Sequence, residues 1–169
     1  MTTSTIAHEK PTVTRQAELR AWLRSFWPGP IMVNSKERVR AFCGAALGIL
    51  LTALVCHLFA ESIMLQTPWL IAPLGASAVL VFAVPASPMA QPWTVIGGNT
   101  ISALVGIACA KWIHPTELAC AVAVGGAIAL MFVTRSLHPP GGATALFTSV
   151  GAVTHFDFAL FPVLLNSIM

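Results

Sequence analysis

The stretch Arg135-Ser136-Leu137-His138-Pro139-Pro140-Gly141-Gly142-Ala143-Thr144-Ala145 decides how the rest of this chain is interpreted. Two successive prolines do not fit inside a helix, because they lack amide donors and the second restricts the first to extended angles. Proline does suit the first turn of a helix, where its missing N–H has no partner. We therefore predict a helix that begins at about Pro140. Gly141 and Gly142 would then leave bare amides at its positive end.

The composition is typical of a membrane protein. Hydrophobic residues make up 56% of the chain and charged residues only 9%, whereas soluble domains carry about 25% charged residues. The basic residues are concentrated before Ala41, and only Lys111 and Arg135 follow it. By the positive-inside rule, this asymmetry predicts a cytoplasmic N-terminus. We expect an integral protein of the bacterial inner membrane. The net charge of +3 belongs to the N-terminal region and gives no indication of nucleic-acid binding.

The N-terminal region is predicted to contain a disordered tail, residues 1–11, and an amphipathic helix, residues 12–27. The apolar side chains of this helix share one face, namely Leu19, Trp22, Leu23, Phe26 and Trp27. Such a helix lies either on the cytoplasmic membrane surface or against the transmembrane body, and the sequence leaves both open.

The transmembrane domain is predicted to occupy residues 38–169. It contains six apolar stretches, of which about five or six are predicted to be membrane segments, namely 41–60, 69–84, 93–113, 118–134, one that begins at about Pro140, and 158–169. The last of these stops after about 18 Å of helix, so we expect it to be truncated. Gly44 and Gly48 form a GxxxG pair that permits close helix contact and is compatible with a homodimer.

The two halves of this domain resemble each other at an offset of 67 residues. Pro73-Leu74-Gly75-Ala76-Ser77-Ala78 aligns with Pro140-Gly141-Gly142-Ala143-Thr144-Ala145, and Asn99-Thr100-Ile101 aligns with Asn166-Ser167-Ile168. We therefore predict an all-α membrane protein with two three-segment repeats, at about 41–113 and 118–169. If the proline-led segments cross the membrane, the repeats are inverted relative to each other, and we favour this arrangement. If those segments re-enter, the repeats are parallel.

The repeat would bring two proline-led helix starts together, at Pro73 and Pro140. Because the amides at a helix start attract anions, we predict that a small anion is held there. The residues predicted to bind it are Pro73, Gly75, Ser77, Asn99, Arg135, His138, Pro140, Gly141, Gly142, Thr144 and Asn166.

Each polar side chain in this set has a predicted role and a structural alternative. The hydroxyls of Ser77 and Thr144 would donate to the anion, and Arg135 would attract it or serve as an interfacial anchor. His138 would hydrogen-bond the anion or carry a proton. The two asparagines, Asn99 and Asn166, either line the pathway or join helices. In the structural alternative, the prolines and glycines merely break a helix to permit packing, and His138 caps a carbonyl.

Residues 137–146 resemble the signature of the HPP family of integral membrane proteins. Three further blocks also resemble that family, namely 73–77, 87–92 and 97–99. The resemblance extends from about Arg38 to the end of the chain. It implies about four transmembrane helices, fewer than the segments counted above. Since some members are associated with nitrite transport, it also implies a small-anion transporter or channel.

Other classes of function have weaker support. We expect no enzyme, cofactor or metal site, because the sequence has no nucleophile elbow, phosphate-binding loop or paired metal ligands. The main alternative is a non-transporting membrane sensor or assembly module. A distant third is a haem protein, using histidines that share no helix face, namely His57, His114, His138 and His155. Nitrite flux into liposomes, abolished by Thr144→Val or Gly142→Leu, would distinguish transport from the module.

Overall fold

The computed structural model describes residues 15–27, 29, 32–62 and 70–169, and the predicted tail 1–11 lies outside these described residues. It divides into two units, Met1–Val33 and Asn34–Met169. The seven α-helices of the described residues are α1 (Arg15–Ser25), α2 (Ser35–Ser62), α3 (Pro73–Ala78), α4 (Pro92–Trp112), α5 (Thr116–Val133), α6 (Pro139–Val150) and α7 (Leu165–Ile168). Between them lie a π-helical turn, Val79–Ala83, a 3-10 turn, Pro88–Ala90, and a broken helix, Ala159–Leu164.

The first unit contains α1, which falls within the predicted amphipathic helix. The Trp22 and Phe26 rings pack edge to face with their centroids 4.6 Å apart, as expected for aromatic side chains one turn apart. The apolar side chains of this helix are exposed within the unit. Its location on a membrane surface stays a prediction.

Among the described residues of the second unit, three helices are long and apolar enough to cross a membrane, within α2, α4 and α5. Two shorter apolar helices, Pro73–Ala83 and Ala159–Ile168, accompany them. The prediction of an all-helical membrane protein is therefore confirmed for the described residues, while the prediction of five or six crossings is not. The starts of α4 and of the last helical segment, Pro92 and Ala159, lie 67 positions apart, which equals the offset of the sequence alignment, and the repeat itself stays a prediction.

Helix α2 begins earlier than its apolar run. Asn34 precedes the helix and its side-chain oxygen accepts a hydrogen bond from the Glu37 amide at 2.8 Å, as an N-cap does. The Glu37 carboxylate also pairs with Arg40 at 2.8 Å. The helix therefore starts among polar residues, where a prediction based on hydrophobicity finds no signal.

The centre of the second unit is α4, which packs against both α5 and α6. Three small residues at four-residue spacing, Gly98, Ser102 and Gly106, lie on its contact face with α6. A Cβ atom on Gly98 would lie 2.6 Å from His138 Cβ, and one on Gly141 would lie 2.8 Å from Ser102 Oγ. These small residues let the two backbones approach closely.

The GxxxG pair of α2 contacts a side chain of its own chain. The Phe82 ring lies against Gly44 and Gly48, so that a Cβ on Gly44 would come within 2.5 Å of Phe82 Cδ1. The close contact that this pair permits is therefore made with Phe82 of the same chain, and a homodimer stays a prediction.

The turn between α5 and α6 reverses the chain through Arg135, which has φ 54°. Its amide donates to the Phe132 carbonyl at 3.3 Å, and the Ser136 amide donates to the Met131 carbonyl at 2.9 Å. This is the Schellman pattern, whose left-handed position usually holds glycine. The turn ends α5 and places His138 directly before α6.

The last segment is interrupted within Ala159–Leu164. Phe161 has extended angles, φ −132° and ψ 123°, and Pro162 follows it. Proline lacks the amide donor and restricts the residue before it, which explains the break. The segment still packs on α4, where Ala159 and Val163 join the core cluster that contains Ile71, Leu74 and Ile107.

Candidate functional site: a buried polar network beside a cavity

Three amides at the two proline-led helix starts are hydrogen-bonded rather than bare, contrary to our prediction. In α3, the Leu74 amide donates to the Ile71 carbonyl at 3.1 Å and the Gly75 amide to Ala72 at 3.0 Å. In α6, the Gly141 amide donates to the His138 carbonyl at 2.8 Å. Before α3, Ala72 already has helical angles, whereas His138 before α6 is extended and acts as an N-cap residue whose carbonyl accepts.

The two starts are joined by side chains instead. Asn99, on α4, lies between Ser77 on α3 and Thr144 on α6. Its Nδ2 donates to Ser77 Oγ at 3.3 Å, and its Oδ1 accepts from Thr144 Oγ1 at 3.0 Å. Ser77 Oγ is also 2.8 Å from His138 Nε2. All four side chains are buried, so they form one polar network within the helix bundle.

The hydrogen bonds determine the tautomer of His138. Its Nδ1 lies 2.8 Å from the Met89 carbonyl oxygen, which can only accept, so Nδ1 carries a hydrogen. In the neutral ring Nε2 is then an acceptor, and Ser77 Oγ–H donates to it. Ser77 in turn accepts from Asn99, so each group of the network has a complementary partner.

A cavity of about 240 Å³ adjoins this network. Its walls come from α2, α3, the start of α4 and the C-terminal segment, and most of them are apolar. Four polar side chains reach it, namely Thr52, Ser77, Asn166 and Ser167. Since Ser77 belongs to both the wall and the network, it connects the cavity to His138.

The predicted site residues fall into three groups. The network is formed by Ser77, Asn99, His138 and Thr144. The Thr144 hydroxyl also lies 3.2 Å from the Pro140 carbonyl, and the Ser77 hydroxyl lies 3.5 Å from the Pro73 carbonyl. Asn166 lies in the cavity wall and donates to the Pro162 carbonyl, while Gly141 contacts α4. Outside both network and cavity lie Gly75, Arg135 and Gly142.

Gly142 does not face the network. A Cβ atom there would meet nothing within 4 Å, and the residue borders an open apolar groove between α5 and α6. Gly142→Leu is therefore no longer expected to disturb the site, and it becomes a control.

Three contributors to the site were missed from the sequence. Met89 supplies a backbone carbonyl, which no side-chain motif reveals. Thr52 and Ser167 line the cavity from α2 and the C-terminal segment. Ser167 did stand in the aligned Asn166-Ser167-Ile168 block, so the repeat offset was a usable signal for it.

Among the described residues, no group of three or more His, Cys, Asp or Glu side chains lies close enough to hold a metal ion. The site chemistry within the described residues is therefore that of hydroxyls, amides, carbonyls and one imidazole.

Comparison with known proteins gives a consistent family match. The family model described as HPP, transmembrane region, matches residues 30–169. Two proteins of Dictyostelium discoideum, each named only as a transmembrane protein, are similar to this chain. One is 39% identical over 75% of this chain and 42% of its own length, and the other is 43% identical over 72% and 45%. The chain thus spans less than half the length of these relatives, and no solved structure matches it.

Proposed function

Because this chain belongs to the HPP transmembrane family, we propose that it carries a small inorganic anion such as nitrite across the membrane. The observation that carries the proposal is the cavity beside Ser77, whose apolar walls hold a few polar side chains. Sites for small solutes are usually of this kind, with few polar groups that fix orientation. We also propose that the membrane is a bacterial inner membrane and that the N-terminus is cytoplasmic.

The helices around the cavity support a transport role. Helix α3 is short, and the segment 159–168 is broken at Pro162. Interrupted helices at membrane depth are tolerated where they line a cavity or are buried in protein, and transporters use them at their binding sites. The anion is proposed to meet the hydroxyl and amide groups of the wall rather than backbone amides at the helix starts.

A non-transporting membrane module remains the second candidate, and one observation favours it. Each side chain of the network hydrogen-bonds to another protein group, so the network also serves simply to join α3, α4 and α6. Filling the cavity with a larger side chain should reduce transport, whereas a protein that does not transport has no flux to lose.

The test is nitrite uptake into liposomes that contain the purified protein. We expect uptake above protein-free liposomes, and Ala78→Leu should reduce it about tenfold or more, because overpacking a filled site by about 1–3 kcal/mol corresponds to that factor. Ala78 lines the cavity, whereas Ala76 on the same helix is exposed, so Ala76→Leu is the matched control. Equal rates with and without protein, for nitrite, nitrate, formate and chloride, would favour the module.

Arg135 gives a prediction in which stability and flux change in opposite directions. Its left-handed conformation is disfavoured for residues with a Cβ by about 1–2 kcal/mol, so Arg135→Gly should raise the free energy of unfolding by about 1 kcal/mol. If the exposed guanidinium attracts anions, the same change should lower the initial uptake rate at low salt, with little difference at high salt. Chemical unfolding in detergent and liposome uptake measure the two effects. A variant that is less stable than the wild type would contradict the account of the turn.

A further inference from the structure

We propose that His138 is a proton-binding site that couples anion movement to proton movement, with Ser77 as the relay between the imidazole and the cavity. This inference rests on the proposed function, since it names the coupling ion of the same site. It also selects between the two roles that the sequence left open for His138, because the ring lies behind Ser77 and is not part of the cavity wall.

The geometry gives His138 a single link to the cavity. Its side chain is fully buried at 0% exposure, and its Nδ1 is held by the Met89 carbonyl at 2.8 Å. Only Nε2 remains, and it lies 2.8 Å from Ser77 Oγ. Because Ser77 also lines the cavity, a proton passes between cavity and ring through one hydroxyl.

Protonation of His138 matters because the described cavity wall carries no charged side chain of its own. The described residues that line the cavity include no Lys, Arg, His, Asp or Glu. An anion buried among apolar walls is strongly disfavoured unless a positive charge compensates it. The two groups bonded to the ring are neutral, namely Ser77 from α3 and the Met89 carbonyl from the 3-10 turn. The neighbouring groups of α4 are neutral too, since Gly98 packs against the His138 Cβ and Asn99 bonds to Ser77.

The closest basic residue in the sequence, Arg135, is exposed beyond the preceding turn. Of the described groups that contact the network, only His138 therefore has a cationic form. Its imidazolium would supply the missing charge without a permanent cation in the membrane.

The proton step balances in atoms and charge. A proton that enters the cavity binds Ser77 Oγ, and the hydrogen already on Ser77 moves to His138 Nε2. The ring becomes an imidazolium that donates to Met89 and Ser77. Ser77 Oγ then accepts from Asn99 and His138, which uses both of its lone pairs, and its own hydrogen points to the anion or to the Pro73 carbonyl at 3.5 Å. One proton and one anion move together, so no net charge crosses.

The experiment measures potassium nitrite uptake into sodium-loaded liposomes, with protein-free liposomes subtracted at each pH to remove diffusion of nitrous acid. Acidifying the outside by one pH unit changes the proton concentration tenfold, so the wild-type rate should rise up to about tenfold near neutral pH. An inside-positive potassium diffusion potential, set with valinomycin, should leave the rate unchanged. His138→Gln should reduce the pH effect to less than about twofold, because glutamine does not titrate.

Three further variants provide a second test of the relay and two controls. Ser77→Ala leaves the imidazole in place but removes the relay, so it should also lose the pH effect, even if His138→Gln fails to fold. Ser102→Ala removes a buried hydroxyl outside the network, and His155→Gln removes an exposed histidine. Both of these should behave as the wild type.

The outcomes separate the two proposals. Protein-dependent uptake that ignores pH and accelerates with the inside-positive potential would overturn proton coupling and leave anion transport standing. Retention of the full pH effect in His138→Gln or in Ser77→Ala would also overturn the inference. Absence of any protein-dependent uptake would overturn transport and, with it, the coupling.

Discussion

Gly98→Ala is expected to destabilise the protein by about 3 kcal/mol, at the upper end of the usual cost of overpacking. The new Cβ would lie 2.6 Å from His138 Cβ and 2.7 Å from the Ser136 carbonyl oxygen, so backbone has to move. The same substitution at Gly125 on α5 meets nothing within 4 Å and should stabilise by up to about 1 kcal/mol, because alanine favours helix.

Denaturant unfolding in detergent measures both changes against the wild type. The Gly98 variant should unfold at a lower denaturant concentration, and the Gly125 variant at the same or a higher concentration. Equal stabilities for the two variants would show that α4 and α6 are not in close contact at this point.

Asn99→Asp is expected to cost about 3 kcal/mol and to abolish nitrite uptake. The two side chains have nearly the same shape, so the change isolates hydrogen bonding and charge. Aspartate still accepts from Thr144, but it has no amide hydrogen for Ser77 and places a carboxylate among buried neutral groups, which is costly without a partner. A negative charge beside the cavity also opposes entry of an anion.

The matched control is Asn34→Asp at the start of α2. Asn34 is exposed and accepts from the Glu37 amide at 2.8 Å, and aspartate serves as well as asparagine at an N-cap. Its stability should therefore stay close to that of the wild type. If Asn99→Asp were equally harmless, the buried network would not join the helices as described.

Much of the fold follows from local sequence rules. Apolar length located the crossing helices, and the two prolines located the start of α6 at Pro139, within one residue of the predicted position. Small residues at four-residue spacing, Gly98, Ser102 and Gly106, lie on the face of α4 that contacts α6. These features depend on neighbours in sequence, so pattern and propensity are sufficient to find them.

The site was only partly predictable, because hydrogen-bond partners depend on tertiary structure. The repeat alignment paired Ser77 with Thr144, and the structure joins both to Asn99. The amides at the helix starts were predicted to be free, yet the carbonyls of Ile71, Ala72 and His138 accept from them. A proline in the first turn does not by itself determine whether a preceding carbonyl accepts from these amides.

The residue that contacts the GxxxG pair was likewise not predictable from the sequence. The spacing of the pair correctly indicates close contact, but the sequence does not say which residue makes the contact. The structure assigns it to Phe82, which lies in a neighbouring apolar segment of the same chain. The Met89 carbonyl could not be predicted from the sequence either, because every residue has a backbone carbonyl.

The central claim is that the anion occupies the cavity beside Ser77, and substrate protection of an introduced cysteine tests it most directly. In a variant whose four native cysteines are replaced by alanine, Thr52→Cys places a thiol in the cavity wall and Thr154→Cys places one at an exposed position. A small charged methanethiosulfonate reagent is applied with and without nitrite. We predict that nitrite slows modification at position 52 and leaves position 154 unaffected. Equal rates at position 52 with and without nitrite, under conditions in which the protein is folded, would contradict the account.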